Sequence, residues 1–508
     1  MVQASDVHER APAGSQAGSA ADGGIQRRPR SPRLLRVTGR GLALHPAWIV
    51  IAGVAAVLLR VGLREGLNSD AWWHLAAGQW MLSHHAVIRS DTFSYTVHGR
   101  PWVAEEWGFE FLLAWMVRTF GPVSFWLLSS GACIAALLVS VVRWRKLGAR
   151  WLWVAVLAIL AGGPLAIGEA PRPQSLSYLF FALELLVLTQ ARRNIRWLLC
   201  LPPLLLVWAN VHGSFLAGLA VLGLELVLAR WPFSKGRLVV SSPLPLRAAG
   251  VTFGVAVLST LVNPHGPGLL SYAYHVSSSG QLSALITEWQ SPDFHSAVLI
   301  LLILVPAAAV LASLALSDAR LEVFDLVLWG GLLLATLHAQ RFIPYAAMAW
   351  GGLAARMPAL RRETIKPSLL VWPIAALACF VFVAGPHPPA GAPERGGDSG
   401  MPVAATAYLQ QHPGRVFSSY WYNDYLIHAG IPVFVDGRTD LYFGTPVLSE
   451  YEKLASVSQD PDILLNRWKV QYVLWTKGSA LSVFLSHDHA WRQVFQAGSS
   501  VVFQRVQP

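Results

Sequence analysis

A carboxylate that takes the proton of an acceptor hydroxyl, set near a cation or metal that stabilises a departing phosphate, can run a displacement at a phosphate-linked carbon. This chain carries such groups at scattered positions, nearly all at the ends of apolar runs. The densest segment is Asn68 to Trp107, NSDAWWHLAAGQWMLSHHAVIRSDTFSYTVHGRPWVAEEW, with Asp70, Trp73, His74, Asp91, Glu105 and Glu106. Later junctions read GEAPRPQSLSY, with Glu169, Arg172 and Gln174, and WANVHGSF, with Asn210 and His212. VNPHGPG adds His265, ITEWQSPDFH adds Glu288, Asp293 and His295, and HAQRFIP adds His338, Gln340 and Arg341. Asp70 is the candidate base, because it opens a loop directly after an apolar run. Arg172 and Arg341 can offer forked donors to a phosphate. A retaining hydrolase would need two facing carboxylates, whose separation the sequence does not report.

The elements that must position these groups are membrane helices. Of 508 residues, 54% are hydrophobic and 13% charged, a composition of the membrane class. Apolar runs fall at about 46–63, 123–142, 151–168, 175–191, 197–211, 215–230, 248–263, 297–316, 323–338, 344–358 and 368–384. The fold expected is therefore an α-helical polytopic membrane protein of about eleven transmembrane helices, several of them short of the roughly 20 residues of an upright span. Cys133, Cys200 and Cys379 all lie inside spans and read as packing residues.

The net charge of +11 is distributed against nucleic-acid binding. Arginine clusters at 27–40, 143–150, 192–196, 230–247 and 356–366 alternate with the polar junctions. By the positive-inside rule the clusters face the cytoplasm, and the junctions share the outer face with Asp70. Residues 1–42, rich in Ala, Gly, Ser, Pro and Arg, read as a disordered cytoplasmic tail. The span-bearing domain covers 43–384, with its first outer loop at 64–122. A crossing at 105–120 would carry RWRKLGAR to the outside, so this run is placed as an amphipathic helix along the outer interface.

Plainer readings compete with the chemical ones. His265 and His295 are better read as solvated or structural loop residues. Arg172, between two prolines, divides evenly between a snorkelling anchor and an anion site. Trp72 and Trp73 belong by default to the interfacial aromatic belt. Glu184 and Glu225 lie within spans, where an unpaired carboxylate is expensive; they support a transporter or flippase of lipid-linked glycans as the alternative function.

After the last span, 385–402 is a Pro- and Gly-rich linker, and 403–508 returns to soluble composition. Strand-like runs RVFSSY, IPVFVDGR and VQYVLWT, a helical stretch near 447–468 and a terminal hairpin in WRQVFQAGSSVVFQRV predict a small extracytoplasmic α/β or α+β domain. Its most charged turn is DGRTDLY, with Asp436, Arg438 and Asp440, equally a structural network or a ligand site.

The ordered series SDAWWHLAAG, SDTFSYTVHGRPW, EEW, PRPQSLSY, WANVHGSF, VNPHGPGLL, ITEWQSPDF, QRFIP and VDGRTDLY, from about residue 46 to the C-terminus, resembles a set of bacterial polytopic proteins related to the GT-C glycosyltransferases. The resemblance implies a multi-pass protein of the bacterial cytoplasmic membrane that moves a sugar from a polyprenyl-phosphate carrier to an acceptor glycan, lipid or protein. It implies Asp70 as the catalytic base and 105–120 as a juxtamembrane helix. It also implies Trp73, His74, Asp91, Glu105, Glu106, Arg172, His212, Glu288 and Arg341 as pocket residues. No cofactor is assigned. Several GT-C branches add a second acid beside the first; here no adjacent acidic pair accompanies Asp70, Asp91 or Glu106 would have to supply it, and a divalent metal is left open. A glycan polymerase or ligase of another membrane fold is a further alternative.

Overall fold

A computed structural model describes residues 45–65, 69–231, 234–240, 243–277, 286–296, 303–308, 310–312, 320–356 and 401–506. The expected tail at 1–42, the span at 368–384, nearly all of the linker and much of the span at 297–316 lie outside the described residues.

The chain is mostly helical. α1 (Ala47–Glu65) leads to α2 (Ser69–His84) and α3 (Trp107–Phe120) of the first loop. The apolar stretch Val123–Leu147 follows as α4 (Val123–Leu128) and α5 (Ser130–Leu147), then α6 (Trp151–Ile167) and α7 (Pro173–Ala191). α8 (Leu201–Ala209), α9 (Phe215–Arg230), α10 (Leu246–Thr260) and α11 (Gly268–Ser277) continue the chain. α12 (Val323–His338) and α13 (Ile343–Ala355) complete the helical part. Among the described residues, Val123–Leu147 and Pro173–Ala191 are long and apolar enough to cross a bilayer unaided, and the other apolar helices are shorter. Trp144, Phe181, Leu185, Trp208 and Phe215 are fully buried at the centre of the bundle.

Helix punctuation positions the polar junctions. Pro173 occupies the first turn of α7, where a missing N–H costs no helical bond, and Arg172 before it is extended. Pro344 does the same in α13, directly after the short turn Gln340–Phe342 that holds Arg341. Asp70 lies in the first turn of α2, Glu106 immediately precedes α3 without a side-chain capping bond, and His212 sits in the turn between α8 and α9. α2 and α3 cross at Gly78, where a Cβ would overlap the Glu110 carbonyl. Phe109, Leu113 and Ala114 face this contact, whereas Phe111, Trp115 and Phe120 are exposed.

Between α9 and α10, strands β1 (Ser234–Lys235) and β2 (Leu238–Val239) join β3 (Leu321–Glu322) in a small sheet. Near it Arg192 pairs with Glu225 at 2.7 Å and with Glu322 at 3.2 Å, and Arg143 and Arg356 both bind Asp325, at 2.6 and 2.5 Å. Glu225, a residue a transporter could use, is thus held in a buried ion network. Glu184 is fully buried with neither carboxyl oxygen hydrogen-bonded.

Residues 401–506 form a four-stranded sheet in the order β4 (Val416–Ser418), β5 (Tyr472–Thr476), β7 (Ser500–Arg505), β6 (Trp491–Ala497). β4 and β5 are parallel, and β6 and β7 form the expected hairpin. The sheet packs with α14 (Val403–Gln411), α15 (Tyr420–His428), α16 (Val447–Ser456), α17 (Pro461–Arg467) and α18 (Ala480–His487). IPVFVDGR does not become a sheet strand. Val433 instead bridges to Ser94 of the first loop, with its N–H donating to the Phe93 carbonyl and its own carbonyl accepting from Tyr95 N–H. Trp73, Ala77, Met81, Ile88 and Trp102 accordingly share one hydrophobic core with Phe417, Val433, Val435 and Tyr442.

Candidate active site

Two adjoining cavities lie where the helix-start junctions meet the C-terminal residues. The larger, of about 610 Å³, is lined by Asp70, Trp73, His74, Glu106, Arg172, His212, Glu288 and Arg341, with Tyr420, Trp421, Gly437, Thr439, Tyr451 and Glu452 opposite. The smaller, of about 260 Å³, has an apolar wall of Leu216, Ala217, Ala273, Val276, Phe342 and Tyr345 and a polar one of Glu105, Tyr272 and Asp440. Glu106, His212, Trp289, Arg341, Gly437 and Thr439 line both, so the two spaces share a wall.

Arg172 spans two acids, with Nε 2.8 Å from Asp70 Oδ2 and Nη1 2.6 Å from Glu288 Oε1. Asp70 and Arg172 side chains are each 23% exposed, which leaves them within reach of a ligand. Burial raises the Asp70 pKa above the ordinary carboxylate range, and the Arg172 guanidinium opposes that rise. Arg341 makes no ion pair among the described residues; its guanidinium lies 4.2 Å over the Trp289 ring, on the wall common to both cavities.

Behind Asp70 runs a ladder of alternating imidazoles and carboxyls. His74 Nδ1 lies 3.4 Å from Glu110 Oε1, and Glu106 stands 3.7 Å from both His74 Nε2 and His212 Nε2. Ser214 N–H donates to His212 Nδ1 at 3.3 Å, which assigns the proton to Nε2, the nitrogen facing Glu106. Burial, reinforced by Arg341, pushes His212 down to about 3, and burial with Arg172 also lowers His74. Both rings are neutral at pH 7. Burial and the adjacent acids Glu105 and Glu110 raise Glu106; burial and Asp440 raise Glu105 to about 8, and burial raises Glu110 to about 8. At neutral pH these side chains hold protons, whereas Asp70 is the acid placed beside a guanidinium.

Asp91 lies elsewhere. Its carboxylate accepts from Arg438 Nη2 at 2.7 Å and from Ser94 Oγ at 2.6 Å, and it lines neither cavity. Glu105 reaches only the smaller cavity. The site also contains residues that sequence reasoning passed over. Tyr272 donates to Asp440 Oδ2 at 2.6 Å, and Gly437 and Thr439 come from the same DGRTDLY turn. That turn is marked in the sequence by its charges, but nothing in its spacing says that it folds against Asp70. Glu110 follows Glu106 by one helical turn, a spacing that could have signalled it.

Gly437 is the closest point of that contact. A Cβ there would stand 2.9 Å from Asp70 Oδ1 and 2.8 Å from Trp73 Nε1, and its N–H donates to Asp424 Oδ1 at 3.2 Å. Gly437→Ala is therefore expected to displace the Asp70 or Trp73 side chain from its place beside the turn. A structure of the variant checks this, its thermal unfolding midpoint moving little.

Among the described residues no group of three His, Cys, Asp or Glu side chains is arranged to hold a metal ion, and the Asp70 carboxylate is paired with Arg172.

The fold is that of the GT-C glycosyltransferases. Solved structures similar to it include the Archaeoglobus fulgidus oligosaccharyltransferase tethered to an acceptor peptide, at TM-score 0.54 and 10% identity over 86% of this chain and 69% of that one. The same oligosaccharyltransferase, AglB, with an inhibitory peptide and a dolichol-phosphate, aligns at TM-score 0.53 and 12% identity over 85% and 69%. ArnT from Cupriavidus metallidurans bound to undecaprenyl phosphate aligns at TM-score 0.53 and 13% identity over 90% and 98%. No protein-family model and no curated protein matches the sequence.

Proposed function

We propose that the chain is a multi-pass glycosyltransferase of the bacterial cytoplasmic membrane that transfers a sugar from a polyprenyl-phosphate carrier to an acceptor hydroxyl. The smaller cavity, one wall of which is apolar, takes the carrier phosphate and the first part of its chain, and the larger one, which holds Asp70, takes the acceptor. The observation that carries this reading is the placement of charges: Asp70 lines only the larger cavity, while Arg341 stands on the wall between the two. Support also comes from the fold shared with AglB and ArnT, each solved with a polyprenyl phosphate. By the alternation of basic clusters, about eleven spans hold the site and the domain at 403–508 on the outer face, with the N-terminus in the cytoplasm.

In the reaction, the Asp70 carboxylate accepts the acceptor O–H proton as the acceptor oxygen bonds to the anomeric carbon. The bond from that carbon to the phosphate oxygen breaks, its electron pair stays on the phosphate, and Arg341 stabilises the charge released. Arg172 holds Asp70 in place and bridges to Glu288.

The test is transfer by purified protein from membrane extracts containing polyprenyl-phosphate sugars, with mass spectrometry of envelope glycans and lipid-linked intermediates after gene deletion. Absence of transfer, with no carrier-linked sugar accumulating in the deletion strain, would sink the proposal. Within it, Arg341→Gln is expected to raise the half-saturating donor concentration by roughly tenfold to a hundredfold, the worth of a charged hydrogen bond to phosphate. Acceptor saturation should be little altered, as kinetics with each substrate varied in turn would show.

A further inference from the structure

Resting on that glycosyltransferase reading, we propose that the acceptor is a glycan whose sugar ring stacks on Trp421 at the mouth of the larger cavity, its hydroxyls donating to Glu452 and Glu288. Trp421 is 67% exposed, whereas Trp475 and Trp491 of the same domain are 7% and 5% exposed. The neighbouring Tyr422 is buried in the domain, so α15 turns one aromatic inward and presents the next to the cavity. An indole left in water beside the cavity offers a flat apolar face to a ligand.

The platform is fixed from behind. Tyr420 stands edge-on to Trp421, with ring centroids 6.4 Å apart at 87°, and edge-on to Tyr451 at 6.2 Å. Its backbone N–H donates to the Tyr451 hydroxyl at 2.6 Å, and its own hydroxyl lies 3.4 Å from Thr439 Oγ1. Tyr420, against whose ring Trp421 rests, is thus itself held in place.

The chemistry of the lining selects the class of acceptor. The C-terminal residues around the cavity include Tyr420, Trp421, Thr439, Tyr451 and Glu452, with no lysine or arginine among them. Across the opening stand Gln174, Thr287 and Glu288, and the nearby Arg172 is already shared between Glu288 and Asp70. Arg341, on the wall shared with the smaller cavity, is the remaining cation and is given to the carrier phosphate, so beside Trp421 an acceptor meets carboxylates and neutral groups. An extended peptide has no strand edge to pair with, because the lining comes from helices and turns. A sugar ring matches both features: its C–H face covers the indole, and its hydroxyls donate to carboxylates and amide oxygens.

The test uses the full chain in detergent, added to membranes from cells lacking it, which supply both the lipid-linked sugars and the natural acceptor. Labelled product is then separated into protease-sensitive, lipid-extractable and glycan fractions. Label in protease-resistant glycan is expected. Trp421→Ala should raise the half-saturating acceptor concentration by roughly threefold to tenfold, as loss of an aromatic contact implies. Donor saturation should not move, and Trp421→Phe should restore most of the loss. Because Trp421 is exposed, the unfolding midpoint should be unchanged. Label in protein, or in lipid carrying no glycan acceptor, would overturn the inference and leave the transferase reading intact, as would unchanged acceptor saturation in Trp421→Ala. No label in any fraction with the parent protein would instead overturn the underlying reading.

Discussion

Replacement of Asp70 by Asn is expected to lower sugar transfer by about a hundredfold to ten-thousandfold, the range for loss of a positioned general base, with the protein still folded. Folding should survive because the partner is not stranded: Arg172 keeps its 2.6 Å pair with Glu288, so no uncompensated buried charge is created. The pH dependence carries a sign. Burial raises the Asp70 pKa and Arg172 opposes the rise, and a base acts only when ionised. Transfer should therefore increase as pH rises through the raised pKa of Asp70. Arg172→Gln removes the charge that favours the ionised form, so the acid limb of kcat/KM should shift to higher pH. If Arg172 served only to anchor the start of α7, the limb would stay where it is. Full activity in a folded Asp70→Asn protein would remove Asp70 from the chemistry.

Much of this arrangement is legible in the sequence because charge alternation reports which helix ends share a face. Arg172, His212, Glu288 and Arg341 are assigned to one side with Asp70 by counting basic loops, and they line one cavity: Arg172 and Arg341 within two residues of a helix start, His212 in the turn between α8 and α9, and Glu288 in the short turn Thr287–Trp289. Alternation carries no radial information. It cannot separate Asp91, 1% exposed and bound to Arg438, from Glu106, which reaches both cavities. Nor does it reach the C-terminal domain, whose strands and hairpin follow local patterns while its docking does not. IPVFVDGR has strand chemistry, yet its one backbone pairing goes to Ser94, more than three hundred residues earlier. Long-range contacts of this kind, with the Arg438–Asp91 pair and the shared core, deliver Gly437, Thr439 and Asp440 to the site. Glu110 is marked by its one-turn spacing from Glu106, but its partner His74 comes from a different helix, which that spacing does not report.

The same contact gives the second large effect, at Arg438. Its guanidinium is 1% exposed and bonded to Asp436 at 2.6 Å and to Asp91 at 2.7 Å, with the Trp102 ring 4.7 Å from its centre. Asp436 also accepts from the Tyr442 hydroxyl at 2.8 Å. The cluster thus ties the first loop to the turn that walls both cavities. Arg438→Met would leave two carboxylates buried without their shared cation, a loss of about 3–5 kcal/mol for a broken buried pair. The expected result is a lower unfolding midpoint, protease cleavage between the first loop and the C-terminal domain, and loss of transfer although no proposed catalytic group has been altered. A double-mutant cycle distinguishes a clasp from general damage. Asp91→Asn removes one of the stranded charges, so the double variant should be less destabilised than the two single effects added together, by roughly 1 kcal/mol or more. Strict additivity would mean that Arg438 stabilises its own turn rather than the junction. The active site would then depend on the C-terminal domain through the hydrophobic core shared by Trp73, Trp102 and Tyr442, and Trp102→Ala would become the substitution that separates the two halves.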